Sequence, residues 1–279
     1  MPMRGSGEVE VGMQPVAPGV QLFCGVDVGA SATKLVLLDD AQVVRARVVR
    51  LSGVDYTATA AAILHDALAT VGATRAQVVR TIATGYGRRN VDFADACLTE
   101  IHCHGIGAYH NVRDSITIVD IGCQDNKVIQ LDDSGRRLGF KMNRKCAAGT
   151  GSFIEEMALR LGVDVAEMDD LARRGAEAVR LSSFCTVFAK TEVLAHLRQG
   201  APVEGIVRGA YLSVIARIVE MAPLDGRVVM TGGVVAHNPT IAELLSEKLG
   251  RAVVVPPDAQ FIGALGAALT AAQQVTSGA

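Results

Sequence analysis

At 279 residues, 49% of them hydrophobic, and with a net charge of −2, the chain can fill one large or two medium cores and gives no electrostatic reason to expect nucleic acid or an anionic membrane as partner. No apolar run approaches bilayer-spanning length and residues 1–19 lack the apolar centre of a signal peptide, so the expectation is a soluble cytoplasmic protein. Six cysteines in such a chain read as buried thiols, metal ligands or redox groups rather than structural disulfides.

Residues 1–20 carry Pro2, Pro15 and Pro18 without apolar periodicity and read as a flexible extension. Residues 22–28 and 34–38 then form two strands around a small polar turn, a β-hairpin ending in the acidic pair Asp39 and Asp40. The sequence writes this hairpin twice. Asp27, Gly29, Lys34, Asp39 and Asp40 recur as Asp120, Gly122, Lys127, Asp132 and Asp133, at a constant offset of 93 residues (120 − 27, 133 − 40). Two such hairpins imply two similar halves, placed at 21–112 and 113–274. An Asp closing a buried strand can hold a hydrated Mg²⁺, and a glycine turn lets backbone N–H groups approach phosphate oxygens.

After the first hairpin, residues 43–51 mix apolar residues with Arg45, Arg47 and Arg50 as a sheet-edge strand does, and Cys24 reads as core. Ala60, Ile63, Leu64, Ala67, Leu68 and Val71 mark a helix over 56–71 that Gly72 stops. A strand at 80–83 leads to the turn Thr84-Gly85-Tyr86-Gly87, and a second helix completes the half. Cys97, His102, Cys103, His104 and His110 cluster next, but their spacing matches no paired-ligand pattern and a helix-and-loop connection needs no metal.

The second half repeats the hairpin and adds a strand at 136–142. Asn143-Arg144-Lys145-Cys146 and Ala147-Ala148-Gly149-Thr150-Gly151 follow, then Ser152 and Glu155 as a capping-box pair opening a helix. The arrangement returns at Ser182-Ser183-Phe184-Cys185-Thr186, with Val187, Phe188, Leu194 and Leu197 continuing as helix. A cysteine ahead of a helix N-terminus suits a thiolate. Two thiolates per chain are half of what a cubane iron–sulfur cluster or a four-cysteine zinc site needs, so a complete site would be shared across a two-fold axis. The plain alternative is two buried small hydrophobes.

Downstream, Val207, Ala210, Tyr211, Val214, Ile218 and Met221 define a helix, and a strand at 228–230 runs into Thr231-Gly232-Gly233-Val234, whose glycines allow a flat base to lie on the backbone. Asn238 as N-cap with Pro239 at the first helical position opens a helix that Gly250 ends. A last strand at 252–255 and a helix at 260–272, with Gly263 and Gly266 for close packing, complete the chain.

The motifs DVGASATK from Asp27, TGYGR from Thr84, DIGCQDNK from Asp120, KCAAGTGSF from Lys145, SSFCTVFAKTEV from Ser182, TGGVVAHNP from Thr231 and QFIGALGAA from Gln260 resemble the BadF/BadG/BcrA/BcrD ATPases. These are the activators of 2-hydroxyacyl-CoA dehydratases and the ATP-binding subunits of benzoyl-CoA reductase. The resemblance implies an α/β, duplicated ribonuclease H-like fold of the acetate kinase, sugar kinase, heat-shock 70 and actin type, with ATP in the cleft between the halves. It also implies a 4Fe-4S cluster shared between two subunits and held by Cys146 and Cys185 of each.

The expected site follows. Asp27 and Asp120 orient Mg²⁺ waters, and Gln124 or Asp125 positions the attacking water. Gly29, Ala30, Ser31, Thr33, Lys34, Gly122, Lys127, Gly232 and Gly233 bind the nucleotide. Expected partners are a second copy or a homologous ATPase subunit, CoA-thioester dehydratase or reductase subunits, and ferredoxin or flavodoxin as electron donor. Residues 234–239 lean toward the reductase group. Two departures from the family pattern stand out: Cys123 replaces a second turn glycine and Asn126 replaces a serine. A small-molecule kinase of this fold and a heat-shock 70-like binding protein are the rival readings; neither gives Cys146 and Cys185 a function.

Overall fold

Residues 15–183 and 185–276 are described by the computed structural model. Its strands are β1 (Leu22–Val28), β2 (Ala32–Asp39), β3 (Val44–Leu51), β4 (Val78–Thr84), β5 (Ala96–Cys97), β6 (Ile116–Ile121), β7 (Asn126–Leu131), β8 (Arg137–Asn143) and β9 (Arg227–Thr231). Its helices are α1 (Tyr56–Val71), α2 (Glu100–Asn111), α3 (Gly151–Leu161), α4 (Met168–Arg174), α5 (Thr186–Arg198), α6 (Val203–Met221), α7 (Gly233–His237), α8 (Thr240–Leu249) and α9 (Ile262–Thr276). One unit comprises Met1–Asn111 with Phe261–Ala279, the other Val112–Gln260.

The first unit is a sheet of order β3-β2-β1-β4-β5, in which β1 pairs antiparallel with β2 and parallel with β4. Every residue of β1 is buried because both faces are covered. Leu22, Cys24, Val26 and Val28 pack with the α1 residues Ala60, Ile63 and Ala67, while Phe23, Val36 and Leu38 pack with Ala264, Ala267 and Leu269 of α9. Asp55 caps α1 by accepting the Ala58 N–H at 2.9 Å, and Gly72 ends it at φ +64°. On the α9 face the backbones come too close for side chains. A methyl at Gly25 would run into the Ala264 carbonyl, and one at Gly266 into the Cys103 carbonyl of α2. Gly266 thus permits the expected close packing. The closing helix completes the first unit, however, and not the second half to which its place in the chain assigns it.

The second unit repeats the plan with order β8-β7-β6-β9, β6 antiparallel to β7 and parallel to β9. Its core brings Val119, Ile121 and Val128 of the sheet against Phe153, Met157, Ile206, Tyr211, Ile215 and Leu245 from the helices. This three-strand meander with a parallel neighbour, used twice, is a duplicated ribonuclease H-like α/β fold of the actin and sugar-kinase type.

Several local expectations give way to tertiary contacts. Residues 1–14 lie outside the described residues, but the expected flexible extension does not run to residue 20. Val16 is buried and donates its N–H to the Val71 carbonyl at 2.9 Å, and the Gln77 amide donates to the Ala17 carbonyl at 3.3 Å. The Ser152–Glu155 capping box does not form. Thr150 is the N-cap of α3, and the Ser152 N–H goes to the Cys123 carbonyl instead. Asn238 does not cap α8, because its side chain is bonded to Tyr211 and to the Val234 carbonyl; the Thr240 N–H is met by Asp169 at 2.9 Å. The strand at 252–255 reduces to one bridge, Val229 to Val254. Val187 and Phe188 do not join the core and are 64% and 67% exposed.

Candidate functional site

In each hairpin the antiparallel register sets an Asp opposite a Lys, Asp27 against Lys34 and Asp120 against Lys127. The turns close alike: the Gly29 N–H donates to the Ala32 carbonyl at 3.1 Å, the Gly122 N–H to the Asp125 carbonyl at 2.9 Å. The outer ends also agree. Asp39 accepts the Val43 N–H at 2.8 Å, and Asp132 accepts the Arg136 N–H at 2.9 Å. The Ser134 hydroxyl, with the Arg136 and Ser134 bonds added, holds the Asp132 carboxyl down at about 2.

The duplication extends further than the hairpins. Thr84 lies beside Asp27 at the end of β4, and Thr231 beside Asp120 at the end of β9. Each is followed by a glycine with positive φ, Gly85 at +87° and Gly232 at +100°. A side chain on either would meet the neighbouring Asp carboxylate. Asp, Thr and Gly are therefore one constellation made twice, and the signal was present in the sequence as a Thr-Gly pair after a strand in each half.

The two copies differ electrostatically. Asp120 is buried, with Oδ2 3.0 Å from Lys127 Nζ and Oδ1 accepting from the Thr231 hydroxyl at 2.8 Å. Lys127 also reaches Asp125 Oδ1 at 2.9 Å. Asp27, only 7% exposed, makes no such ion pair among the described residues, and Lys34 is half-buried beside Gly29. The first copy thus presents a carboxylate able to take a new cationic or water partner, whereas the second holds its charges against one another.

Other predicted contacts separate by what they touch. Ala30 and Ser31 are half-buried in the first turn, and the Ser31 carbonyl accepts the Ser52 N–H at 2.9 Å. Thr33 is fully buried and its hydroxyl lies 2.9 Å from Ser52 Oγ, which donates to the Gly29 carbonyl at 2.6 Å. Thr33 braces the turn from below, with its hydroxyl turned toward Ser52. The Gly232 N–H is held by the Ala259 carbonyl at 2.9 Å, while Gly233 opens onto free space at the start of α7.

The second turn is bonded directly to the loop that carries Cys146. The Gly151 N–H donates to the Gly122 carbonyl at 2.9 Å, the Ser152 N–H to the Cys123 carbonyl at 2.8 Å, and the Asn126 side chain to the Gly149 carbonyl at 2.7 Å. Cys123 has no positive φ, so the missing family glycine leaves no strain, and its thiol lies 3.4 Å from the Ser152 hydroxyl. Gln124, Arg144, Lys145, Cys146, Ala147 and Ser152 line a cleft of about 270 Å³, so the turn residue expected to place water and the exposed cysteine share one opening.

Cys146 is exposed and precedes α3 by a four-residue turn; Cys185 is exposed and is itself the N-cap of α5. The backbone before Cys185 is fixed by Glu192, which accepts the N–H groups of Ser182 and Ser183 at 2.6 and 3.0 Å. Partial burial raises the Glu192 carboxyl, but these bonds outweigh it and hold it below the usual range. α3 and α5 are joined by Lys190 and Glu156 at 2.9 Å. Cys146 and Cys185 therefore lead into helices tied to each other, and one of those helices is tied to the second hairpin turn.

The cysteines and histidines between 97 and 110 are drawn apart. Cys97 is exposed at the end of β5, whereas Cys103 and His104 are buried on α2, the His104 Nδ1 bonded to the Glu100 carbonyl at 3.0 Å. Among the described residues no three His, Cys, Asp or Glu side chains gather as a metal site. None of their helices is long and apolar enough to cross a membrane.

An activator of lactoyl-CoA dehydratase from Anaerotignum propionicum is 42% identical over 251 residues, 88% of this chain and 96% of that protein. The solved structure of the activator of the 2-hydroxyisocaproyl-CoA dehydratase from Clostridium difficile with bound ADPNP is 37% identical and matches at a TM-score of 0.87, covering 92% of this chain and 97% of that one. A benzoyl-CoA reductase subunit from Thauera aromatica is 28% identical over 260 residues, 89% of this chain and 92% of its own. The family model for the BadF/BadG/BcrA/BcrD ATPases matches residues 24–271. That span takes in the turns of both hairpins, both Thr-Gly pairs, Cys146 and Cys185, and the chain belongs to the BadF/BadG/BcrA/BcrD ATPase family.

Proposed function

We propose that this ATPase is an activator, hydrolysing ATP to drive a low-potential electron into a CoA-thioester dehydratase or reductase partner. The relatives favour the free activator over a reductase component, with 42% identity to the lactoyl-CoA dehydratase activator against 28% to the reductase subunit. In this reading Asp27 and Asp120 orient the waters of Mg²⁺, the Gly29 and Gly122 turns receive phosphate oxygens, Lys34 and Lys127 answer their charge, and Gln124 places the attacking water. Adenosine lies on the Gly232-Gly233 backbone. A reduced ferredoxin or flavodoxin supplies the electron, and the protein acts in the cytoplasm.

The observation that carries the proposal is the run of bonds from the phosphate turn to the Cys146 loop through Gly122–Gly151, Cys123–Ser152 and Asn126–Gly149. Loss of the γ-phosphate changes what the Gly122 turn contacts, and these bonds carry the displacement to α3 and, through Glu156 and Lys190, to α5. The thiols of Cys146 and Cys185 suit iron–sulfur ligation: soft donors, both exposed, two per chain and so four in a pair of subunits. A 4Fe-4S cluster bound there would supply one-electron chemistry whose potential depends on burial and hydrogen bonding. The exposed Val187 and Phe188 beside Cys185 give the pairing contact apolar cover.

Oxygen-free purification tests this. Wild-type protein should be a brown dimer with about two irons per chain, as a four-iron cluster shared by two chains requires. Cys146→Ser and Cys185→Ser should each abolish the colour while leaving ATP binding. A colourless wild-type protein, or variants that keep their iron, would leave a plain ATPase or kinase.

A further inference from the structure

From Gly135 to Gly151 the chain has five cations, Arg136, Arg137, Lys141, Arg144 and Lys145, and no carboxylate, in a protein whose net charge is −2. All five are exposed. Arg136 is answered by Asp132 at 3.0 Å; Arg137 lies over the Phe140 ring, 5.6 Å from its centroid. Arg137, Lys141, Arg144 and Lys145 have no carboxylate partner among the described residues. The strand at the start of this run, β8, is the outer strand of its sheet. Leu138 and Phe140 are 63% and 50% exposed on it, and the strip ends at the exposed Cys146.

Charges on an edge strand commonly guard against unwanted pairing. A guard has no use for an exposed Leu and Phe, whereas an apolar centre with a cationic rim is the anatomy of a transient interface. We infer that β8 with Arg144 and Lys145 is the docking surface for a small acidic electron-carrier protein. The inference rests on the reading of Cys146 and Cys185 as cluster ligands. One strand and the loop after it offer a small patch, which suits brief electron-transfer encounters rather than a permanent assembly. A second copy of this chain would meet the first at Cys146, where the strip ends, and is disfavoured farther along β8, since there it would set Arg137 and Lys141 against their own kind. A 4Fe-4S cluster held by Cys146 and Cys185 would take one electron from the reduced carrier at this contact, with no bond made or broken.

The test uses the full chain purified without oxygen and an acidic two-cluster bacterial ferredoxin as probe. Binding should weaken with salt, and Arg137→Glu with Lys141→Glu should weaken it at least about tenfold at low ionic strength, while iron content and ATPase activity stay unchanged. Arg137→Gln with Lys141→Gln, a milder pair, should give an intermediate loss if reversal disturbs the strand. Equal ferredoxin affinity in wild type and both variants, with iron present, overturns the docking surface alone. A change of oligomeric state without loss of ferredoxin affinity assigns the strip to a second copy and overturns it too. An iron-free wild type overturns the cluster reading, and the docking inference falls with it.

Discussion

Asn126 donates its side-chain N–H to the carbonyl of Gly149 at 2.7 Å, so the strand leaving the second hairpin turn and the loop holding Cys146 share a buried bond. Asn126→Ala leaves that carbonyl without its donor and should destabilise the protein by about 1–3 kcal/mol in urea unfolding. It should also blunt any effect of nucleotide on Cys146. Alkylation rates of Cys146 with ADP and with a non-hydrolysable ATP analogue should differ in the wild type and converge in the variant.

The two repeat aspartates should answer differently to the same change. Asp27→Asn removes a carboxylate that has no ion pair among the described residues, so the fold should tolerate it while ATP turnover falls by roughly a hundredfold or more. Asp120→Asn takes a carboxylate partner from buried Lys127, and should lower stability by about 1–3 kcal/mol as well as turnover. Urea midpoints set beside ATPase rates separate the two. Equal stability losses would remove the asymmetry.

Thiol chemistry follows burial. Burial pushes the Cys24 and Cys103 thiols up to about 12, whereas Cys97, Cys146 and Cys185 are exposed. Iodoacetamide at pH 8 on iron-free native protein should label the exposed three and spare Cys24 and Cys103, as peptide mass spectrometry would read. The raised pair also fixes the sign of an alkaline effect. Unfolded thiols ionise near pH ~8.5 and the folded ones do not, so stability falls progressively from there up to about 12, as the unfolded state alone gains charge. Replacing both with Ala should flatten the fall in stability with pH over that window.

Packing by glycine is equally testable. Gly266→Ala sets a methyl against the Cys103 carbonyl, where only backbone can give way, and should cost at least about 1–3 kcal/mol. Gly233→Ala, which meets nothing within 4 Å, serves as the folding control.

Much of the architecture was legible because it is local. The hairpins, α1 with its Gly72 stop and the cysteine ahead of α5 all follow from periodicity, turn chemistry and a 93-residue echo (120 − 27). What escaped depends on contacts far apart in the chain. Asp169, 71 residues before the Thr240 N–H it accepts, takes the capping place expected of Asn238, and Cys123 claims the Ser152 N–H expected for a local box. Val187 and Phe188 fit an apolar helix pattern, yet nothing in that pattern tells a core face from a face open to solvent. Thr33 sits inside the motif, and strand alternation turns its hydroxyl inward to Ser52, a partner 19 residues away that no local pattern gives. The Thr-Gly repeat is readable only once the two halves are superposed, since each pair is too short to stand out alone.

The return of α9 to the first unit has a bearing on synthesis. Phe23, Val36 and Leu38 wait for Ala264, Ala267 and Leu269, which leave the ribosome long after Asn111. The second unit, continuous from Val112 to Gln260, can be finished while the first still lacks a wall. A chain cut short before Ile262 would therefore carry Asp27 on a sheet with one greasy side bare, making such fragments natural clients for chaperones and proteases.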